Sequence, residues 1–127
     1  MQSVLKTFLS LLALIFLGIG LLFMFYPMPL LEMWAQEPAN TANPALAWST
    51  VRGDLGALFL LFGTSLGLGL INGNRTWLTA AMLLMALVFT GRAVGLVVNG
   101  GDPQIYTNMA VEAGLVILIW LYSRGLE

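Results

Sequence analysis

The chain has 127 residues, of which 59% are hydrophobic and only 9% are charged, and its formal net charge is -1. Soluble domains carry about 25% charged residues, so this composition excludes an ordinary soluble domain and predicts one integral membrane domain. The absence of a basic cluster excludes a nucleic-acid partner. The chain also lacks cysteine and histidine, which removes disulfides, thiolate and imidazole chemistry, and the usual zinc and haem sites. We expect neither a metal nor another cofactor.

The first predicted element is a membrane span at residues 7–26. Its apolar run from Phe8 to Phe25 is 18 residues long, whereas the apolar core of a secretory signal takes about 7–15 residues and is followed promptly by a cleavage site of small residues. We therefore interpret this run as a retained span. A loop with three prolines follows, and its short apolar patch of Leu30, Leu31 and Trp34 suits a position flat at the membrane interface.

Three further apolar segments are long enough to cross a hydrocarbon core of about 30 Å, which takes roughly 20 residues. They are predicted at residues 46–71, 76–98 and 105–123. Asn43-Pro44 and Asp102-Pro103 each combine an N-cap residue with proline at the first helical position, and Asn99-Gly100-Gly101 predicts a glycine C-cap. We therefore expect an all-α integral membrane four-helix bundle with a short cytoplasmic turn and a longer, proline-containing outer loop.

The charges outside the spans indicate the orientation. A chain of four spans puts all the basic loop residues on one side, namely Lys6, Arg75 and Arg124. The positive-inside rule makes that side cytoplasmic. The acidic residues Glu32, Glu37 and Asp102 then face outward. We expect a multi-pass protein of the bacterial cytoplasmic (inner) membrane with both termini in the cytoplasm.

Four charged residues lie inside the predicted spans: Arg52, Asp54, Arg92 and Glu112. Counted from the outer helix ends at a rise of 1.5 Å per residue, Arg52 and Arg92 lie about 12 Å deep, Glu112 about 13 Å, and Asp54 about 3 Å deeper than Arg52. Each would cost on the order of 2.5–3.5 kcal/mol if left unpaired near mid-membrane. We therefore predict one layer of mutually neutralising charges, in which Arg92 meets either Glu112 or Asp54.

Glycines share the segments that carry these charges. Gly56 and Gly63 lie on nearly the same side of a helix as Arg52, at 100° per residue. The pairs Gly63–Gly67 and Gly91–Gly95 have the small-xxx-small spacing that lets transmembrane backbones approach each other. This pattern predicts close helix packing around the charged residues.

At "VRGDLGALFLLFG", "TGRAVGLVVNGGDP" and "EAGL" the chain resembles the small four-helix bacterial membrane proteins of the DoxX-like type, and it is closest to relatives described only as a domain of unknown function. The resemblance is carried by Arg52-Gly53, Gly91-Arg92 and Glu112. It implies a four-helix fold and a membrane location. Some DoxX proteins are subunits of respiratory or redox complexes, which implies an accessory role.

Three functional interpretations remain open. In the first, the charged layer is structural and the protein is a non-catalytic accessory or assembly subunit, with a membrane-protein partner or as a homo-oligomer. In the second, the arginines bind an anionic lipid or lipophilic metabolite in an outward-facing pocket, supported by Tyr106 and Asn108. In the third, Asp54 or Glu112 exchanges a proton in an oligomeric carrier, although arginines at similar depth argue against this. No catalytic constellation is present, so we do not expect an enzyme.

Overall fold

The computed structural model describes residues 1–33 and 42–126, and these residues form helices and no strands. Six α-helices follow each other in the chain: α1 (Gln2–Phe25), α2 (Met28–Met33), α3 (Pro44–Thr50), α4 (Gly56–Asn72), α5 (Arg75–Asn99) and α6 (Pro103–Arg124). A π-helical turn, Val51–Leu55, joins α3 to α4 without a break. Four continuous helical segments are therefore long and apolar enough to cross a membrane: Gln2–Phe25, Pro44–Asn72, Arg75–Asn99 and Pro103–Arg124.

The predicted helix ends are marked by their capping residues. The side chains of Asn43 and Asp102 accept hydrogen bonds from the amides of Leu46 and Gln104, at 3.1 and 2.8 Å, and a proline follows each cap. These bonds satisfy amides that have no partner within the first turn of a helix. At the other end of α5, Gly100 adopts a φ of 95°, which terminates the helix after Asn99.

The described contacts divide the chain into two compact units, residues 12–64 and residues 1–11 with 65–127. Within the first unit, glycines bring α1 against the π-turn and α4. A Cβ added to Gly20 would lie 2.8 Å from the backbone nitrogen of Leu60, and one added to Gly63 would lie 2.9 Å from that of Leu17. Such distances require glycine, because backbone atoms cannot move aside as a flexible side chain does. Stacked and edge-on phenylalanines fill the same interface: Phe16, Phe23, Phe59 and Phe62.

Two residues of the predicted apolar patch after α1, Leu30 and Leu31, are buried in the protein. In α2, Leu30 and Leu31 pack against Phe23 of α1. Our prediction that this patch lies flat at the membrane interface is therefore wrong for these two leucines, because α1 ends at Phe25 and α2 returns onto its last turns. Trp34 and Glu37, which the same prediction placed in the outer loop, lie outside the described residues.

In the second unit, α5 and α6 form an antiparallel hairpin through the turn at residues 100–102. The end of α4 packs against the start of α5, where an added Cβ on Gly69 would lie 3.0 Å from the backbone nitrogen of Leu78. The side chain of Gln2 lies against Gly125, so the first turn of α1 and the last turn of α6 meet at one end of this unit. The buried side chains of the unit include Leu9, Leu66, Leu70, Leu78, Ala81, Met85, Leu115, Ile119 and Tyr122.

Candidate functional site

Arg92 and Glu112 form an ion pair across the α5–α6 hairpin. The Nε of Arg92 donates to Oε1 of Glu112 at 2.5 Å. Arg92 lies seven residues before the end of α5, and Glu112 lies nine residues after the start of α6, so the short turn brings them to nearly the same level. The ion pair is the first of the two pairings that we predicted for Arg92.

The pair is unequally buried and incompletely bonded. The Arg92 side chain is 35% exposed, whereas that of Glu112 is only 8% exposed. The second carboxylate oxygen, Oε2, is buried and has no hydrogen-bond partner among residues 1–33 and 42–126. An unpaired buried acceptor costs free energy. The arrangement therefore holds the hairpin together but does not satisfy the carboxylate fully.

Arg52 meets backbone carbonyls instead of a carboxylate. Its Nη1 donates to the carbonyl oxygens of Met24 and Phe25, at 2.7 and 3.0 Å. These carbonyls belong to the last turn of α1, where four carbonyls lack partners within the helix and the helix dipole is negative. Arg52 is therefore a charged C-cap of α1, contributed by a different segment of the chain.

Within the residues that the structure describes, our prediction that Arg52 is neutralised by a carboxylate in a common layer is wrong. The depth estimate assumed that the second span begins at the membrane surface. The continuous helix Pro44–Asn72 has 29 residues, about 43 Å at 1.5 Å per residue, which exceeds a hydrocarbon core of about 30 Å. The first turns of this helix extend past the end of α1, so Arg52 lies level with the end of that helix.

The π-turn contains Arg52, Gly53 and Asp54, where the sequence predicted a regular α-helix. π-turns inside α-helices are rare and occur frequently at functional sites. Asp54 is exposed, and its side chain makes no hydrogen bond or ion pair with any residue that the structure describes. The predicted pairing of Asp54 with an arginine is therefore not formed within the described part of the chain.

Tyr106 and Asn108 lie in the first two turns of α6. Tyr106 is exposed, and its hydroxyl lies beside Gly101, so that a Cβ at that glycine would be 2.8 Å away. Asn108 accepts a hydrogen bond from the side-chain amide of Gln104 at 3.2 Å. Each contact is local to the α5–α6 turn. The structure does not bring Tyr106 or Asn108 into a bond with the Arg92–Glu112 pair.

A groove of about 550 Å³ lies beside Arg52. It is lined by Met24 of α1, by Ala45, Trp48 and Ser49 of α3, and by Arg52 and Gly53 of the π-turn. The sequence predicted no binding role for Trp48 or Ser49. The available signal was the spacing of Ala45, Ser49 and Arg52, at i, i+4 and i+7, which places them on one face of a helix.

The chemistry of the groove is that of one cation in apolar surroundings. Because only Nη1 of Arg52 is used by the α1 carbonyls, the Nε and Nη2 groups remain as donors, and Ser49 contributes a hydroxyl at the groove wall. Within residues 1–33 and 42–126, no group of three or more acidic, histidine or cysteine residues is arranged to hold a metal ion. The groove is suited to non-covalent binding of an oxyanion.

Comparisons with known proteins assign a family. No curated protein and no solved structure matches the chain. A family model described as a domain of unknown function, DUF4345, matches residues 4–123. This match covers nearly all of the chain, including α1, both arginines of the candidate sites and Glu112. The chain belongs to the DUF4345 family of uncharacterised domains.

Proposed function

We propose that this protein is an integral membrane protein that binds an anionic amphiphile in the groove beside Arg52. The observation that carries the proposal is the coordination of Arg52, which uses one nitrogen to cap α1 and keeps two donor nitrogens. Arginine makes strong, charge-assisted hydrogen bonds to carboxylates and phosphates. The remaining wall is mostly apolar and includes the indole of Trp48, which suits the attached hydrocarbon chain.

The proposed location is the bacterial cytoplasmic membrane, with both termini inside and the groove near the outer surface. It is supported by four apolar helices, by the contact of Gln2 with Gly125 and by the positive-inside pattern. Because the chain lacks cysteine, single cysteines report the topology without interference. In spheroplasts, an impermeant maleimide is expected to label Gln104→Cys and to label Ser3→Cys only after lysis. The reverse pattern contradicts this orientation.

The binding proposal is tested by extracting the protein in native lipid discs and comparing the co-extracted lipids with those of the whole membrane. We expect an anionic amphiphile to be enriched several-fold with the wild-type protein. The enrichment should disappear in Gly53→Leu, because Gly53 lines the groove and has open space where a side chain would extend. Unchanged lipid composition in the wild type, or enrichment that persists in Gly53→Leu, contradicts the proposal.

A second candidate is an accessory or assembly subunit of a membrane complex, in line with the DoxX-like resemblance. The observation that favours it is Asp54, an exposed carboxylate within a helix long enough to span a membrane, with no partner in the described residues. Because Asp54 is two residues from Arg52, it lies near the end of α1, where its carboxylate is exposed on the surface of the helix. A basic side chain from a partner helix could form an ion pair with it there.

The same disc preparation separates the two candidates. If the protein is a subunit, a stoichiometric protein partner is expected with the wild type and is expected to be lost in Asp54→Asn. Gly53→Leu should leave that partner bound. If the protein acts only as an amphiphile binder, Asp54→Asn should leave the lipid enrichment unchanged, and no stoichiometric partner is expected from either preparation.

A further inference from the structure

The geometry of Arg52 also restricts the headgroup. A guanidinium is planar, and its Nε and Nη2 groups lie along one edge with parallel N–H bonds. The contacts with Met24 and Phe25 occupy Nη1 alone, so the Nε–Nη2 edge is the part left for a ligand. This edge matches the two oxygens of a carboxylate, which is also planar and accepts two parallel hydrogen bonds.

The charge around the groove limits the ligand to one negative charge. Arg52 is the single charged residue among the lining residues that the structure describes. The carbonyl end of α1, against which Arg52 lies, has a partial charge of about -0.5, and the exposed Asp54 is two residues away. A second negative charge on the ligand would therefore meet no further cation among the described lining residues and would be repelled by both groups.

The remaining wall disfavours a large polar headgroup. Of the lining residues between positions 24 and 53 that the structure describes, Met24, Ala45 and Trp48 are apolar, Gly53 has no side chain, and Ser49 is the one polar side chain besides Arg52. A headgroup with several hydroxyls would find few hydrogen-bond partners there, and unpaired polar groups lose affinity. A bare carboxylate needs only the arginine edge and one hydroxyl.

From these three observations we infer that the groove selects a singly charged, long-chain carboxylate over phosphate monoesters and neutral alcohols. This inference rests on the proposed function, because it names the ligand class for the same groove. It assigns binding roles to the Arg52 edge, the Ser49 hydroxyl and the apolar face of Trp48. The hydrocarbon chain of the carboxylate would extend from the groove into the surrounding lipid.

Trp48 provides the reporter for the test. A variant with Trp34, Trp77 and Trp120 changed to phenylalanine keeps Trp48 as its one indole. In discs of phosphatidylcholine, a spin-labelled stearic acid is expected to quench this fluorescence at a low mole fraction. Unlabelled tetradecanoate, tetradecyl phosphate and tetradecanol, which share one chain length, are then compared as competitors at a pH at which the acid is ionised.

We expect tetradecanoate to restore the fluorescence at a concentration at least tenfold lower than either of the other competitors. Arg52→Lys keeps the positive charge but lacks the planar edge, so it should lose most of this tenfold preference. Gly53→Leu, which leaves Arg52 unchanged, should abolish the competable quenching. Asp54→Asn should retain the competable quenching by tetradecanoate and should let tetradecyl phosphate compete more strongly, because it removes one of the two groups that repel a second negative charge. Thr50→Ala, whose hydroxyl donates to the Leu46 carbonyl of its own helix, should behave like the wild type and is the control for a substitution beside the π-turn.

Two failures are distinguishable. If tetradecyl phosphate competes as well as tetradecanoate or better, and Gly53→Leu still abolishes the effect, the carboxylate preference is refuted while anion binding at the groove stands. If no competitor restores the fluorescence, or if Gly53→Leu is quenched and restored like the wild type, the proposed function itself is refuted. If tetradecanol competes as well as tetradecanoate, both the carboxylate preference and the proposed anion binding are refuted, because a neutral alcohol then binds as well as the anion.

Discussion

Replacement of Arg92 and Glu112 by methionine, singly and together, tests the role of their ion pair. The structure predicts unequal effects for the two single changes. Arg92→Met leaves the carboxylate of Glu112, whose side chain is only 8% exposed, without its cation. Glu112→Met leaves a guanidinium that is 35% exposed, and a long arginine side chain can bend toward a polar boundary.

The magnitudes follow from these exposures. Removing one partner of a buried pair costs about 3–5 kcal/mol, and we take the lower end for Arg92→Met because the pair is partly exposed. For Glu112→Met we expect about 1 kcal/mol, because the remaining arginine can reach the membrane interface. The double variant is expected within about 1 kcal/mol of the wild type, since it also removes the unpaired Oε2 of Glu112.

The assay is reversible unfolding in mixed micelles with an increasing mole fraction of dodecyl sulfate, followed by far-UV circular dichroism. The coupling energy of the cycle should have a magnitude of about 3–5 kcal/mol. Leu83→Met, at an exposed apolar position of α5, is the control for a methionine in this helix and should have little effect. Equal costs for the two single variants, or a double variant equal to their sum, would refute the assignment of the pair.

Two further changes test the packing and the capping. Gly63→Ala is expected to destabilise the protein by about 1–3 kcal/mol in the same titration, because its Cβ would lie 2.9 Å from the backbone nitrogen of Leu17. Gly67→Ala, whose Cβ would meet no described atom within 4 Å, should be neutral. Asp102→Ala removes the acceptor for the Gln104 amide and should cost about 1 kcal/mol, with faster hydrogen exchange in the first turn of α6.

The α5–α6 hairpin was predictable because its determinants are local. Asn99 and Pro103 mark the two helix ends, and three residues join them. Residues of α5 and α6 can therefore be counted from the same turn, and the count gives the distance of each side chain from that turn along either helix. For this reason the sequence alone predicts that Arg92 and Glu112 lie at nearly the same level. The same arithmetic needs no knowledge of how other helices pack.

The contact of Arg52 was not predictable by the same counting. Its level relative to α1 depends on the path of the chain between Phe25 and Pro44, and no periodic pattern in the sequence specifies that path. One signal was available: Pro27 follows α1 closely and indicates that the helix stops there, leaving unpaired carbonyls. An arginine in the next long helix is a suitable partner for such carbonyls, but the sequence does not show that it is near them.

The glycine pairs show the same difference between what local spacing predicts and what tertiary packing determines. Gly63 and Gly67 cannot be distinguished by their spacing in the sequence, yet of these two only Gly63 makes a close contact with α1. At Gly91 and Gly95, an added Cβ would have no described atom within 4 Å. Spacing indicates which helices have a face of small residues. Whether a neighbouring helix occupies that face is determined by tertiary packing, which the spacing does not contain.

The two arginines therefore differ in how far neighbouring groups neutralise their positive charge. Arg92 is opposed by the full negative charge of Glu112, so the pair is neutral and has little electrostatic attraction for an anion. Arg52 forms no ion pair within the described residues, and the negative groups beside it are the carbonyl end of α1, with a partial charge of about half an elementary charge, and the exposed Asp54 two residues away. The positive charge of Arg52 is therefore not neutralised by an ion pair within the described residues, and it lies at an exposed position beside a mostly apolar groove. Anion binding is for this reason expected at Arg52 rather than at Arg92, although the sequence presents both as arginines beside a glycine within a span.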